Sequence, residues 1–344
     1  MRELNSIPIE NIYYMLCYAW DKLDYLERNK IGVLEERDVL NLLSRIFVKE
    51  VEFILKKGLY REYNAFEEDT SILRGKINFN SSLSLIINKK NKLMCSYEEL
   101  DFNITLNKVI KTTIINLLRV KALSGDNRKH LKQVSSYFGA IDTISLNERM
   151  FKNIRYNSSN KAYEFIMNIC KLIKDNLLLS EKGEGAEFYN FLEDERKMAY
   201  LFENFVRAFY KRELKNCKVD RENISWKFSG EDMNYLPRMQ TDISIELPYK
   251  KIIMDTKYYK STLNSNFGKN KLNSNNLYQL CAYLKNNESK SEKDKIAEGI
   301  LLYPRVNKDL DLTYTMENHI LKICTVNLNM KWQHIHERLL EIVQ

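Results

Sequence analysis

The sequence predicts a two-domain protein of mixed α and β structure. An α+β N-terminal domain, mostly helical with a small β segment, is expected over residues 1–185. A C-terminal α/β domain, with a mixed central sheet flanked by helices, is expected over 186–344. Three observations lead there. A chain of 344 residues has the length of about two domains. Apolar residues recur at helical spacing through most of the first half, whereas the second half reads α-β-β-α-β-β-α. Between them, Ser180-Glu181-Lys182-Gly183-Glu184-Gly185 is the clearest linker in the chain.

In chain order, residues 6–23 predict a helix, with Pro8 in its first turn and Ile9, Ile12, Tyr13, Leu16 and Trp20 at helical spacing. A second helix is expected over 36–57, burying Val39, Leu43, Ile46, Phe47, Val51 and Ile54. From Gly58 the pattern turns extended, at 59–63, 72–79 and 92–99. Gly75 invites a phosphate-loop reading, but no GxxxxGK[ST] occurs, and Arg74 and Lys76 read as solvated charges on a small sheet. Helices follow from Thr105, over 128–137 and over 161–179. Past the linker, a helix over 194–215 turns Met198, Leu201, Phe202, Phe205, Val206 and Phe209 inward. Glu203 lies on its flank, one turn from a partner in Arg207. Residues 261–276 read as a loop, 276–285 as a helix, 299–304 and 321–326 as strands, and 332–343 as a closing amphipathic helix.

Composition excludes several classes. No apolar run approaches the roughly 18 residues of a transmembrane helix, and the first residues carry no signal-peptide pattern, so a cytoplasmic protein is expected. The six cysteines are scattered without a CxxC pair and read as free thiols, and His334 and His336 point to different sides of one helix. A net charge of +8 permits phosphate binding without demanding it.

The stretch that carries chemistry is 240–258. Residues 241–247 alternate like a half-buried strand, residues 248–251 read as a turn, and 252–257 form a mostly apolar strand ending in Asp255 and Lys257. Those two side chains share a face. If a four-residue connection pairs Leu247 with Ile252, Asp242 falls opposite Lys257 and Ser244 opposite Asp255. A one-residue slip would send Asp242 to the other face. Two carboxylates and a lysine gathered there suit a divalent metal: Mg²⁺ takes hard oxygen ligands from Asp242 and Asp255, with the Thr256 carbonyl able to join them. Lys257 can then orient water or stabilise charge on a phosphate. Glu203 on the preceding helix and Gln279 on the following one are placed to reach the same site.

The order helix–Glu203, Asp242, Asp255-x-Lys257, helix–Gln279 resembles the PD-(D/E)xK nuclease superfamily, which implies a restriction-endonuclease-like C-terminal domain. Gln240-Thr241 stands where that family commonly has Pro before the first Asp, and Asp255 stands in place of Glu. A wider resemblance rests on Ile7-Pro8-Ile9-Glu10-Asn11-Ile12-Tyr13-Tyr14-Met15-Leu16, Leu73-Arg74-Gly75-Lys76-Ile77, Tyr97-Glu98-Glu99-Leu100 and Leu106-Asn107-Lys108. It continues through Leu201-Phe202-Glu203-Asn204-Phe205-Val206, Tyr278-Gln279-Leu280 and Leu302-Tyr303-Pro304. Together these are similar to the McrC family, nuclease subunits of 5-methylcytosine-dependent McrBC restriction systems. The resemblance implies an N-terminal domain that docks in a GTP-hydrolysing, McrB-like AAA+ hexameric ring and stimulates it, GTP being bound by that partner. It also implies a C-terminal domain that cuts double-stranded DNA with Mg²⁺, Asp242 and Asp255 as metal ligands, Lys257 catalytic, and Glu203 and Gln279 supporting. The basic segment at 60–99 is the expected ring contact. A non-catalytic adaptor of an AAA+ ring and an autonomous structure-specific nuclease are the rival readings; intact Asp242, Asp255 and Lys257 speak against the first.

Overall fold

The structure, a computed structural model, describes residues 7–23, 38–88, 90–179, 185–230, 232–259, 264–266, 269–306 and 308–344. The chain forms two compact units. One combines the described residues of Met1–Leu42 with those of Asn190–Gln344, and the other spans Leu43–Tyr189. The first helix therefore departs from the division expected at 185/186, which placed it with the N-terminal domain. The cause is aromatic packing. Helix α1 (Ile9–Ala19) buries Tyr14 and Tyr18, whose rings each lie 5.7 Å from that of Phe205, with Phe209 5.4 Å from Tyr18. Each such pair adds about 0.5–1.5 kcal/mol beyond its buried area. Tyr18 also donates to Glu213 at 2.6 Å, and Asn11 to the Leu328 carbonyl at 2.7 Å. The expected linker at 180–184 and the expected helix start at 36–37 lie outside the described residues.

The unit Leu43–Tyr189 holds most of α2 (Val39–Lys57), then β1 (Glu62–Thr70), β2 (Lys76–Ile77), α3 (Phe79–Ile87) and β3 (Leu93–Asp101). The strands form an antiparallel sheet in the order β1-β3-β2. Helices α4 (Thr105–Leu118), α5 (Gly125–Ser135), α6 (Glu148–Asn153) and α7 (Tyr163–Asp175) follow, then the β4 (Leu177–Leu179) and β5 (Ala186–Phe188) pair. Helix α6 and the β4–β5 pair were not expected, and two further details differ from expectation. Helix α3 fills a stretch where no element was expected, started by the Asn78 side chain accepting from the Ser81 amide. The helix expected to reach 179 stops at Asp175, because the Asn176 side chain turns back to the Leu172 carbonyl and the next three leucines enter the sheet. Asn107, within a family-like motif, is architectural: it is buried, donates to the carbonyls of Tyr60 and Phe102, and accepts from the Tyr163 hydroxyl.

The other unit resumes with α8 (Glu195–Glu213), β6 (Lys218–Asp220), β7 (Asn223–Ile224), β8 (Met239–Gln240), β9 (Ile243–Glu246) and β10 (Lys251–Thr256). After β11 (Asn264–Asn266) and β12 (Lys269–Lys271), a short pair inside the expected loop, come α9 (Ser274–Asn287), α10 (Glu292–Lys295), β13 (Glu298–Pro304), β14 (Asp311–Met316), β15 (His319–Val326) and α11 (Trp332–Ile342). The main sheet runs β14-β15-β13-β10-β9-β6 and is mixed: β10, β13 and β15 are parallel, with antiparallel neighbours outside them. The two edge strands were not expected. Strand β6 is three residues long and β14 is mostly exposed, so neither shows a core face in sequence. Leu280, Tyr283 and Leu284 of α9 pack on Ile253, Leu301, Tyr303, Leu321 and Ile323 of the three parallel strands. Among the described residues, no helix is long and apolar enough to cross a membrane.

Gly75 shows what a motif glycine does here. It has φ +60°, and a Cβ placed on it would lie 2.7 Å from the Tyr97 Cβ and collide with the Ser96 carbonyl oxygen. Gly75→Ala is expected to destabilise this unit by about 1–3 kcal/mol. Amide hydrogen exchange across β3 is the measurement, and unchanged protection at Ser96 and Tyr97 would contradict the close approach.

Candidate active site

The β9–β10 hairpin closes on a tight turn. The Leu247 amide donates to the Lys250 carbonyl at 2.9 Å, leaving only Pro248 and Tyr249 between them. The register is Glu246 with Lys251, Ser244 with Ile253, and Ile243 with Met254. This corrects the expected pairing of Leu247 with Ile252 by two residues. An even shift preserves side-chain parity, so the charged face survives. Continued one step, the register sets Asp242 across from Asp255 rather than Lys257.

Asp255 lies at the carboxyl end of β10, inside a strand buried along its whole length. Ligands gather at the carboxyl ends of parallel strands in open α/β sheets. The side chain is fully buried, and neither carboxylate oxygen receives a hydrogen bond. The Lys257 ammonium lies 2.7 Å from Oδ2, an ion pair without hydrogen-bond alignment. Burial, then the charge of Asp242, pushes the Asp255 pKa up to about 7, against the attraction of Lys257. Lys257 moves upward: burial disfavours its charge, but Asp255 and Asp242 outweigh that, so it is an ammonium at neutral pH. Its amide donates to the Leu302 carbonyl at 3.0 Å, extending the pairing with β13.

Asp242 precedes β9 and is aimed by Thr256, which donates to Oδ2 from its amide at 2.8 Å and its hydroxyl at 3.0 Å. Its pKa is raised, by burial first and by the charge of Glu203 next. Glu203 is held by Arg207 at 2.9 Å, the partner expected from helical spacing. It is also held by Arg221, whose Nε donates at 3.0 Å. Gln279 donates to the Tyr283 hydroxyl at 2.7 Å, and Tyr283 donates to the Gln240 carbonyl at 2.8 Å, two residues before Asp242. The structure thus brings Asp242, Asp255 and Lys257 together, sets the Glu203 charge beside them, and connects Gln279 through Tyr283.

Three residues escaped the sequence reading of the site. Tyr283 is one helical turn after Gln279 and was visible as an i,i+4 pair. Arg221 and Asn276 had no such signal; Asn276 is buried, accepting from Tyr259 and donating to the Tyr303 hydroxyl at 3.0 Å. Among the described residues, no three His, Cys, Asp or Glu side chains form a metal-holding group. The donors present are a carboxylate pair, and Mg²⁺ commonly takes one or two carboxylates plus water and phosphate oxygens. The Asp255 carboxylate, with Oδ1 unpartnered and Oδ2 paired only with Lys257, fits that need.

A family model described as "McrBC 5-methylcytosine restriction system component" matches residues 9–304. The chain is 30% identical over 339 residues to "Type IV methyl-directed restriction enzyme EcoKMcrBC" of Escherichia coli (strain K12), covering 98% of this chain and 97% of that one. A solved structure, the refined half-complex from a tetradecameric assembly of Thermococcus gammatolerans McrB AAA+ hexamers with bound McrC, is similar with a TM-score of 0.60. That match covers 97% of this chain and 76% of the other at 18% identity, and speaks to the fold alone. Family model and relative agree over nearly the whole chain, which therefore belongs to the McrBC 5-methylcytosine restriction system component family.

Proposed function

We propose that this chain is the DNA-cleaving subunit of its restriction system, a Mg²⁺-dependent phosphodiester hydrolase with a PD-(D/E)xK site. The observation that carries the reading is Asp255, buried at a strand end with two carboxylate oxygens that accept no hydrogen bond. The Lys257 ammonium meets Oδ2 at 2.7 Å, while Oδ1 is left with no partner, and a buried carboxylate oxygen in that state is costly unless something positive meets it too. A bound Mg²⁺ supplies charge neutralisation at the phosphate and an activated water. The chain's own residues do the rest. Thr256 fixes Oδ2 of Asp242 and so sets the direction of that carboxylate. Asp255 offers both oxygens and holds the Lys257 ammonium, which faces the charge gathering on a phosphate as the bond breaks. Arg207 and Arg221 keep Glu203 in place, and the Gln279–Tyr283 pair steadies the backbone leading into Asp242.

The proposal extends to partner and substrate. Thermococcus McrC is bound to McrB AAA+ hexamers, and this chain is read as binding a corresponding GTP-hydrolysing ring that recognises methylated double-stranded DNA and is stimulated in return. The unit Leu43–Tyr189 has a surface suited to a protein partner: Ile72, Leu73, Phe79, Leu83, Ile86 and Ile87 are all exposed, on α3 and just before it. Leu73→Asp with Ile87→Asp is expected to weaken assembly with the ring at least about tenfold, measured by mass photometry, because each charge removes apolar contact. Normal assembly would move the contact elsewhere.

Asp255→Asn is expected to reduce cleavage by about 10²–10³-fold or more. The assay combines the variant with its ring partner, GTP and methylated DNA; retained cutting would end the site assignment.

The same substitution tests the electrostatics. A carboxyl with a folded pKa of about 7 and an unfolded one of about 3.9 favours the folded state only while protonated. That contribution is complete below about pH 4 and is lost as pH rises through about 7. In chelator, Asp255→Asn should therefore melt progressively higher than the native chain between pH 4 and pH 8, by about 2–6 °C at the upper end. A difference independent of pH would refute the burial argument.

A further inference from the structure

We propose that Glu222 is a positioning residue for the metal-binding carboxylates: it ties together the segments that carry Asp242, Asp255 and Gln279, and its charge sets how the two aspartates meet a cation. This rests on the reading of those aspartates as metal ligands. Glu222 lies between β6 and β7. Its amide donates to the Thr241 hydroxyl at 3.0 Å, and its carbonyl accepts from the Thr241 amide at 2.9 Å. Thr241 immediately precedes Asp242, so this two-way clasp fixes the backbone from which Asp242 projects.

The Glu222 carboxylate reaches three further segments. It accepts from the Ser244 hydroxyl on β9 at 2.9 Å, from Lys251 at the start of β10 at 3.1 Å, and from Lys290 just after α9 at 2.7 Å. Strand β10 carries Asp255 one residue before its end, and α9 carries Gln279. Lys251 is itself buried and bonded to Asp294 at 2.5 Å, which in turn accepts from Asn287 and Ser291. Burial alone would raise the Glu222 pKa, but Lys290 and Lys251 pull it down to about 2, so the clamp is ionised wherever the protein is folded and active. Charge-assisted bonds of this kind are about twice as strong as neutral ones. Groups bonded directly to a metal's ligands typically change its affinity by about 10–100-fold when lost, and Glu222, which acts on Asp242 through Thr241, is expected at or below the lower end of that range.

The test is a Mn²⁺ titration of the full-length chain followed by electron paramagnetic resonance, which needs neither partner nor DNA. Glu222→Gln keeps the shape and removes the charge; its Mn²⁺ affinity is expected to fall about tenfold. Val219→Ala, a buried position on the preceding edge strand β6, is the control for loss of stability alone, and its affinity is expected to stay within about twofold of native because its side chain is apolar and ties none of these segments to Asp242. If Glu222→Gln does not fold, Ser244→Ala removes one arm of the clamp, with an expected loss of about two- to threefold. Native affinity in Glu222→Gln, where Asp255→Asn has lost it, overturns the positioning role while sparing the site. An equal loss in Val219→Ala reduces that role to general stability and overturns it as well. Equal binding by the native chain and Asp255→Asn brings down the site and the clamp together.

Discussion

The structure of the site depends on one buried carboxylate without hydrogen bonds. Ionising a carboxylate withdrawn from water and given no aligned hydrogen bond costs several kcal/mol after relaxation, even with one ammonium beside it. Asp255 is in that position, and its neighbours make it harder still: Asp242 and, more weakly, Glu203 add repulsion, and Lys257 offsets only part. A fold tolerates such a defect only where the surroundings leave no alternative arrangement. Here they do: the strand is buried at every residue, parallel pairing to β13 continues through the Lys257 amide, and Thr256 is engaged with Asp242.

Much of this was legible in sequence, for reasons that can be named. Two charges at the end of Ile252-Ile253-Met254 mark a central strand with a polar terminus, and the period of two put Asp255 and Lys257 on one face without reference to any partner strand. The register was less legible. Pro248 reads equally well in a four-residue connection or a two-residue turn, and the tight turn moved the pairing by two. The site survived because parity, not register, decides the face. Glu203 with Arg207 was readable as a helical pair one turn apart.

What could not be read was contact across long stretches of chain. Arg221 reaches Glu203 eighteen residues away, and Lys290 reaches Glu222 across sixty-eight. No local periodicity encodes such pairs. The placement of α1 failed for the same reason, since Tyr14 and Tyr18 look like an ordinary helical stripe until Phe205 is known to face them. Motifs shared with the family proved silent about role. Gly75 serves a backbone crossing and Asn107 a buried junction, although both stand in motifs as prominent as those that hold Asp255 and Gln279.

Strand β10 carries the two kinds of buried charge at its two ends. At Lys251 every charged atom has a partner: Glu222 and Asp294 bracket the ammonium, and Asn287, Ser291 and Lys290 bond the carboxylates in turn. At Asp255 the carboxylate has the Lys257 ammonium beside Oδ2 and no hydrogen bond at either oxygen. Buried charges that are all partnered rigidify what they join, whereas a half-partnered one destabilises it. Only Ile252, Ile253 and Met254 separate the two, in a six-residue strand too short and too well paired to bend. The satisfied end can therefore hold the unsatisfied end in a geometry that Asp255, left to itself, would abandon by turning toward water. The geometry at one end of this strand is inseparable from the architecture at the other.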